Sequence, residues 1–384
     1  MRILILGGDG YLGWPASMHF ANKGHKVLTI DNLSKKKIED EYGIEPLSRV
    51  KSFIKRVKLW NSNQKNKINY LVFDLLNYKT ICETLERFKP DTIIHYAEQP
   101  SAPYSMAGRE KAVYTQNNNV IGNLNLLFAM KKHCPQTHLI KLGTLGEYGT
   151  PNIDIEEGWL NLEHNGRKDR VLFPKKPGSF YHLSKVHDSA NIEFACRIWG
   201  LKCTDLNQGV VYGLMTNEIE LDYEGLATSF HYDSIFGTII NRFITQVACN
   251  KPMTVYGTGN QKRGFLNLID TLNCVNLAAE KPAKVGEFRV FNQFTEFCSL
   301  NEMAKKIKDF ANSKKIVAKI KKIKNPRIED EEHYYNPKNT SLLSLGLKSV
   351  KFDEKQIESI FNIVKDNTDR VNINTLYPNI KWKL

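Results

Sequence analysis

Six short apolar runs punctuate the first 210 residues: RILIL (2–6), KVLTI (26–30), NYLVF (69–73), DTIIHYA (91–97), HLIKL (138–142) and KCTDL (202–206). Each is near-continuously apolar and too short for a helix, as expected of a strand buried on both faces. Between most of them lie helix-like segments, at 12–23, 78–88, 105–132 and 181–199. This alternation predicts an α/β fold, a Rossmann-type doubly wound parallel sheet with helices on both sides. Residues 34–69 break the rhythm as a long polar insertion with helical character, of a length that often carries function. Past residue 210 the pattern loosens, and charged loops such as EIELDYEG and NPRIEDEEHYYN separate further elements. The expectation is a first domain over 1–210 and a smaller, partly interleaved second one over 211–384, with some segments returning to the first.

Composition changes this picture little. At 41% hydrophobic and 25% charged, the 384 residues can fill one large core or two modest ones, and they hold no repeat or low-complexity tract. No run of eighteen apolar residues is present, so no membrane-spanning helix is expected. MRILILGGDG enters a strand-like run at once, without the pattern of a signal or transit peptide, which gives the expectation of a cytoplasmic protein. The seven cysteines (82, 134, 196, 203, 249, 274, 298) form no CxxC pair and read as reduced thiols, not as disulfides or a zinc site.

Within the net charge of +13 two clusters stand out, Lys35–Lys37 and KKIVAKIKKIK (Lys314–Lys324), the second alternating lysine with Ile and Val as in a lysine-guarded strand edge. No basic patch interleaved with aromatics and no nucleic-acid module is visible, so nucleic acid is not expected as a partner. A basic field suits small phosphorylated ligands equally well.

Two motifs carry chemistry. The first strand runs into GGDGYLG, placing Gly7, Gly10 and Gly13 ahead of a helix. This spacing lets the backbone turn tightly and approach a pyrophosphate at a helix N-terminus. Asp31 ends the second strand, where a carboxylate accepts from ribose hydroxyls and repels a 2′-phosphate, so NAD is expected over NADP. Asp74, ending the third strand, is placed to meet the adenine. The second motif, SFYHLSKVHDS, holds Tyr181 and Lys185 four residues apart, hence on one face of a helix. Thr144 precedes them at a strand end. A free tyrosine titrates near 10, so acting as a base near pH 7 requires a lowering of about 3, or roughly 4 kcal/mol. A neighbouring ammonium and the positive nicotinamide ring both act in that direction.

The order Thr144, Tyr181, Lys185 resembles the short-chain dehydrogenase/reductase superfamily, in its extended nucleotide-sugar branch. NNNVIGNLNLLFA (117–129) is similar to that branch's cofactor-side helix, and TVYGTGNQKRGFLNLID (254–270) to its substrate-phosphate segment. Its 4,6-dehydratases carry Asp-Glu directly after the Thr; here Leu145 and Gly146 stand there, and the carboxylate comes at Glu147. GGDGYLGW, EQPSAPYSM, KLGTLGEYGTPNIDIEEG, FYHLSKVHDS, DLNQGVVYG, GEFRVFNQFTE and NPRIEDEEHYYN resemble the UDP-sulfoquinovose synthase family from end to end.

That resemblance implies a route from UDP-glucose and sulfite: oxidation at C4, loss of the C6 hydroxyl to a 4-keto-5,6-ene, sulfite addition at C6 and reduction at C4. It implies Thr144, Tyr181 and Lys185 as the catalytic triad, with Glu147 for the C5/C6 proton work and His182 beside it. His182 is open to a second reading, as a packed structural histidine. The implied NAD contacts are Gly7, Asp9, Gly10, Tyr11, Leu12, Gly13, Asp31, Asn32, Asp74, Leu75, Glu98, Asn118, Tyr181, Lys185 and Val211. The implied substrate contacts are Thr144, Gln208, Thr254, Val255, Tyr256, Gln261, Arg263 and Arg327, the two guanidinium forks suiting a pyrophosphate. Plant members have Arg where this chain has Pro100, which leaves the holding of sulfite open. Relatives suggest a homodimer. A 4,6-dehydratase, a 4-epimerase or a non-catalytic NAD-binding sensor are the alternatives.

Overall fold

The computed structural model describes residues 1–327, 334–380 and 382. Its strands are β1 (Arg2–Leu6), β2 (Lys26–Asp31), β3 (Ile68–Val72), β4 (Thr92–His95), β5 (His138–Thr144), β6 (Trp159–His164), β7 (Arg167–Leu172), β8 (Lys202–Gln208), β9 (Val210–Tyr212), β10 (Met253–Tyr256), β11 (Lys262–Asn267), β12 (Phe288–Gln293), β13 (Glu296–Ser299) and β14 (Ile320–Ile323). Seven of them form one parallel sheet in the order β12-β8-β5-β4-β1-β2-β3.

The continuous apolar character of the strands has a direct cause. In β1, Ile3 and Ile5 pack into one buried cluster with Trp14 and Phe20, while Leu4 and Leu6 pack into another with Ile93 and Leu126. Successive side chains point to opposite faces, and helices cover both. These are α1 (Gly13–Asn22), α2 (Ser34–Tyr42), α3 (Phe53–Asn63), α4 (Tyr78–Phe88), α5 (Ala102–Ser105), α6 (Arg109–Gln116), α7 (Gly122–His133) and α8 (Phe180–Trp199) in the first half. The second half adds α9 (Tyr223–Leu226), α10 (Ile239–Ala248), α11 (Leu268–Glu280), α12 (Leu300–Ser313), α13 (Thr340–Ser344) and α14 (Glu354–Lys365). Phe243, Ile244, Met303, Ile307 and Phe361 of α10, α12 and α14 centre a separate core beside the small sheet β13-β11-β9.

The sheet's order reverses beside β1, between β4 and β2, and a crevice opens there at the strand C-termini. The insertion 34–69 supplies α2, α3 and the start of β3. Three details depart from the sequence reading. The expected helix over 105–132 is broken into α6, a π turn over Asn117–Ile121 and α7. Only Ile320–Ile323 of the lysine-rich stretch is a strand, paired with β10. A hairpin of β6 and β7 stands where no strands were expected, turning at Asn165 (φ 51) and Gly166 (φ 73). Residues 328–333 of NPRIEDEEHYYN lie outside the described residues.

Candidate active site

The crevice is one cavity of about 450 Å³. Its floor is the glycine loop, with Gly7, Asp9, Gly10, Tyr11, Leu12 and Gly13 all lining it. Gly7 has φ +87, and a Cβ on Gly13 would lie 1.9 Å from the Gly7 carbonyl oxygen, so neither position tolerates a side chain. The loop is therefore drawn in tightly and presents bare backbone ahead of α1, a cradle that fits a dinucleotide's pyrophosphate.

Asp31 and Asn32 line the next stretch of wall. The Asp31 carboxylate accepts from the backbone N–H of Asp9 (2.9 Å) and of Leu33 (2.7 Å). Burial, and then the charge of Asp9, push it up to about 6. Asn32 donates to Asp74 (2.8 Å), and Asp74, Leu75, Asn118 and Val211 line the cavity as well. Lys35, which could have argued for a 2′-phosphate, instead donates to Ser229 Oγ (3.0 Å) and pairs with Glu39 (3.8 Å).

At the C-terminal end of β5 and the N-terminal end of α8 the two halves of the chemistry meet. Ser179 caps α8 by accepting from the N–H of His182 (3.2 Å), which sets Tyr181 and His182 at the helix mouth, both lining the cavity. Lys185 lies behind them, 2% exposed, donating to the Leu142 carbonyl (2.6 Å) and ion-paired with Glu98, which itself lines the cavity. Its ammonium is 5.8 Å from the centre of the Tyr181 ring. In the protein alone burial raises the Tyr181 phenol, and the charges of Glu98 and Glu147 add to it. The charge of Lys185 is offset here by its ion pair with Glu98, so of the two causes expected to favour phenolate the nicotinamide ring is the one that bound cofactor would add.

Thr144 sits just outside the lining, its hydroxyl accepting from the N–H of Gly146 (3.1 Å) and keeping its proton free to donate. Glu147 lies beneath Thr144, at the end of β5. It is fully buried, ion-paired with Lys141 (3.4 Å) and Lys175, and accepts from Ser189 Oγ (3.1 Å) and the Thr144 N–H (3.3 Å). Burial alone would raise its carboxyl, but the two ammonium groups overcome this and hold it at about 2. Glu147 does not line the cavity, and it accepts from the backbone N–H of Thr144, which does not line it either.

His182 packs against Gly146. A Cβ on Gly146 would lie 2.3 Å from His182 Nε2, so the imidazole fills the space a side chain at 146 would occupy. Ser179 Oγ lies 2.9 Å from its Nδ1. Position 146 is where the sequence comparison placed the missing dehydratase carboxylate.

The far end of the cavity is lined by Gln208, Tyr256, Gln261, Arg263 and Arg327, whereas Thr254 and Val255 are buried behind it. Thr254 is held by Gln246, whose amide donates to its hydroxyl at 2.8 Å, and Val255 belongs to the second core. Two residues escaped the sequence reading. Lys141 is wholly buried beneath Lys185, donating to its carbonyl (3.0 Å) and to Ser189 Oγ (3.0 Å). Arg242, 5% exposed, lines the cavity 4.6 Å from the Tyr256 ring, with no carboxylate partner among the described residues. An arginine on the buried face of the apolar stretch IINRFITQVA was the available signal. Pro100 lines the cavity, and no group of three His, Cys, Asp or Glu is placed to hold a metal among the described residues.

A family model of the NAD dependent epimerase/dehydratase family matches residues 3–292. The chain is 47% identical over 382 residues to the chloroplastic UDP-sulfoquinovose synthase of Spinacia oleracea, covering 100% of this chain and 79% of that protein. It is 40% identical to the UDP-sulfoquinovose synthase of Sulfolobus acidocaldarius, covering 100% and 98%. Among solved structures, the Bacillus cereus UDP-glucuronic acid 4-epimerase with UDP-glucuronic acid and NAD superposes with a TM-score of 0.68 at 18% identity, covering 95% of this chain and 99% of that one. No described helix is long and apolar enough to cross a membrane.

Proposed function

Because the chain belongs to the NAD-dependent epimerase/dehydratase family and, within it, to the UDP-sulfoquinovose synthases, we propose that it joins UDP-glucose and sulfite into UDP-6-sulfo-6-deoxyglucose. The observation that carries this reading is the identity of 47% and 40% over the whole chain to two UDP-sulfoquinovose synthases; the imidazole of His182, in the space of the side chain that Gly146 lacks, supports its elimination step.

Bound NAD supplies the acceptor and donor of hydride at C4. Tyr181 takes the proton of the C4 hydroxyl as the bond to hydrogen at C4 breaks, and returns it in the closing reduction. Thr144 donates a hydrogen bond to the same oxygen. Once C4 is a ketone, the C5 hydrogen is acidic; His182 removes it and hands a proton to the departing C6 hydroxyl, which leaves as water. Sulfite, arriving as bisulfite, then forms its S–C bond at C6 of the conjugated ketone, and the proton it brings passes through His182 to C5. Glu147 and Lys141 act through others, fixing the backbone of Thr144 and Lys185. Asp31 accepts from the adenosine ribose, and Arg242, Arg263 and Arg327 hold the sugar nucleotide's phosphates. With Pro100 in the wall, these arginines are also the cavity's cations nearest in kind to the absent one for drawing in sulfite.

We further assign a cytoplasmic enzyme that works as a homodimer. The exposed Phe128 of α7 and Phe194 and Ile198 of α8 support an apolar face between copies. The deciding experiment is a mass spectrum after incubation with UDP-glucose and NAD, with and without sulfite. A sulfite-dependent product heavier by SO2 is expected. Loss of one water with sulfite ignored would mean a dehydratase, and an unchanged mass with an altered sugar would mean an epimerase.

A further inference from the structure

Asp9 is an awkward residue for the place it occupies. It lies in the glycine loop, its side chain 32% exposed toward the cavity, where a carboxylate would repel a bound pyrophosphate. The insertion answers it. Arg56, on α3, is fully buried and ion-paired with the Asp9 carboxylate; its guanidinium also donates to the Asp9 carbonyl (3.1 Å) and to the Ala227 carbonyl (3.2 Å). Its guanidinium carbon sits 4.8 Å from the centre of the Trp14 ring. Arg56 does not line the cavity, so whatever it does to a ligand passes through Asp9.

The neighbouring contacts have the same direction. Trp14 donates to the Leu226 carbonyl (2.8 Å), and Thr228 donates to the Tyr11 carbonyl (2.9 Å). The glycine loop is thus laced to residues 226–228, and the chain that follows, with Ser229, His231 and Phe236, lines the opposite wall. Stability alone is a poor reason for this arrangement, since a buried ion pair is often no better than well-packed apolar residues of the same volume.

We propose that Arg56 is a positioning residue for cofactor retention: it neutralises Asp9 and latches the glycine loop to the 226–228 segment across the dinucleotide's diphosphate. The insertion between β2 and β3 is the element that carries it there. In the reaction proposed above, hydride leaves C4 and returns to C4 within one turnover, so the dinucleotide has no need to exchange. The inference rests on reading this end of the cavity as the cofactor's, and its test uses neither sugar oxidation nor sulfite.

Holoenzyme loaded with NADH is mixed with excess NAD, and the fall in NADH fluorescence gives the dissociation rate for wild type, Arg56→Met and Arg56→Lys; calorimetry gives the affinity for UDP. Arg56→Met is expected to release NADH at least ~10-fold faster, with UDP affinity changed by less than ~2-fold, and Arg56→Lys to fall between it and wild type. Unchanged release in folded Arg56→Met overturns the latch. Equal weakening of NADH and UDP also overturns it, since that is general loosening. Should Arg56→Met fail to fold, Arg56→Lys decides on the same two readings: faster NADH release at constant UDP affinity supports the latch, and release at the wild-type rate overturns it.

Discussion

Gly146 and His182 compete for one volume, and that makes their pairing testable. The backbone at Gly146 needs no left-handed conformation, so an alanine there is a purely spatial change. Its methyl would fall 2.3 Å from Nε2 and 2.4 Å from Cδ2 of His182, inside any tolerable contact. The ring must turn or shift to make room. If His182 moves the C5 and C6 protons, Gly146→Ala should lower kcat by ~10- to 100-fold while leaving NAD binding intact, since general acid–base catalysis contributes about that much or more. Steady-state rates with sulfite and NADH titration read the two effects apart; a near-wild-type kcat would return His182 to the packing role the sequence also allowed. Glu147 makes a different prediction. Its carboxyl is depressed from an ordinary value near 4.5 to about 2. A depressed carboxylate adds stability that is complete above the unfolded-state value and is lost as pH falls from about 4.5 toward 2, on the order of 3 kcal/mol. Glu147→Gln removes that contribution and leaves Lys141 and Lys175 buried without their counter-charge, so it should destabilise by about 3–5 kcal/mol at neutral pH. Urea unfolding at pH 7 and at pH 4 checks both: the variant's deficit should shrink toward the acid side. A pH-independent deficit would contradict the charge network.

At the scale of elements, what could be read from the chain depended on whether local pattern or distant contact made the element. β1, β2, β4, β5 and β8 were legible because each buries both faces, and their apolar runs have no other use. The glycine loop was legible because Gly7 and Gly13 meet hard steric limits that only their spacing reveals. The break at Asn117–Ile121 was not, because NNNVIGNLNLLFA has ordinary helical spacing. There Asn119 turns inward to accept from the Gln99 N–H (2.8 Å) and to donate to Ser184 Oγ (2.9 Å), partners far off in sequence. The hairpin β6–β7 went unread for the opposite reason. Its strands are largely exposed and lack the apolar alternation that marks a strand, so Asn165-Gly166 was the only signal, and a strong one for a tight turn. The site divides along the same line. Tyr181, Lys185 and Asp31 follow from spacing within one element, whereas Lys141, Arg242 and Arg56 matter only through contacts across the fold. Glu147 reads in the sequence as a carboxylate one residue from the expected place; the two lysines paired with it become visible only in the structure.

Across the whole molecule, the division at residue 210 serves the ligands better than it serves the core. We keep 1–210 and 211–384 as proposed functional halves, the first for the dinucleotide and the second for the sugar nucleotide. Their packing, however, is shared. β12, from the second half, pairs with β8 from Cys203 to Gln208 and closes one side of the main sheet. Leu272, Val275 and Ala279 of α11 lie in the same buried cluster as Ile3, Ile5 and Trp14 of the first half. Phe288 and Val290 join the cluster on the other face. A fragment ending at residue 210 would therefore expose the edge of β8 and strip one cluster of its α11 wall. At roughly 2–5 kcal/mol for each large buried side chain lost, a handful of such deletions exceeds the ~5–15 kcal/mol that holds an ordinary domain together. The expectation is that residues 1–210, expressed alone, do not fold: circular dichroism should give no cooperative thermal transition, and NADH should not bind. A folded, NADH-binding 1–210 fragment would mean that the dinucleotide half is an independent domain and that β12 is an accessory strand.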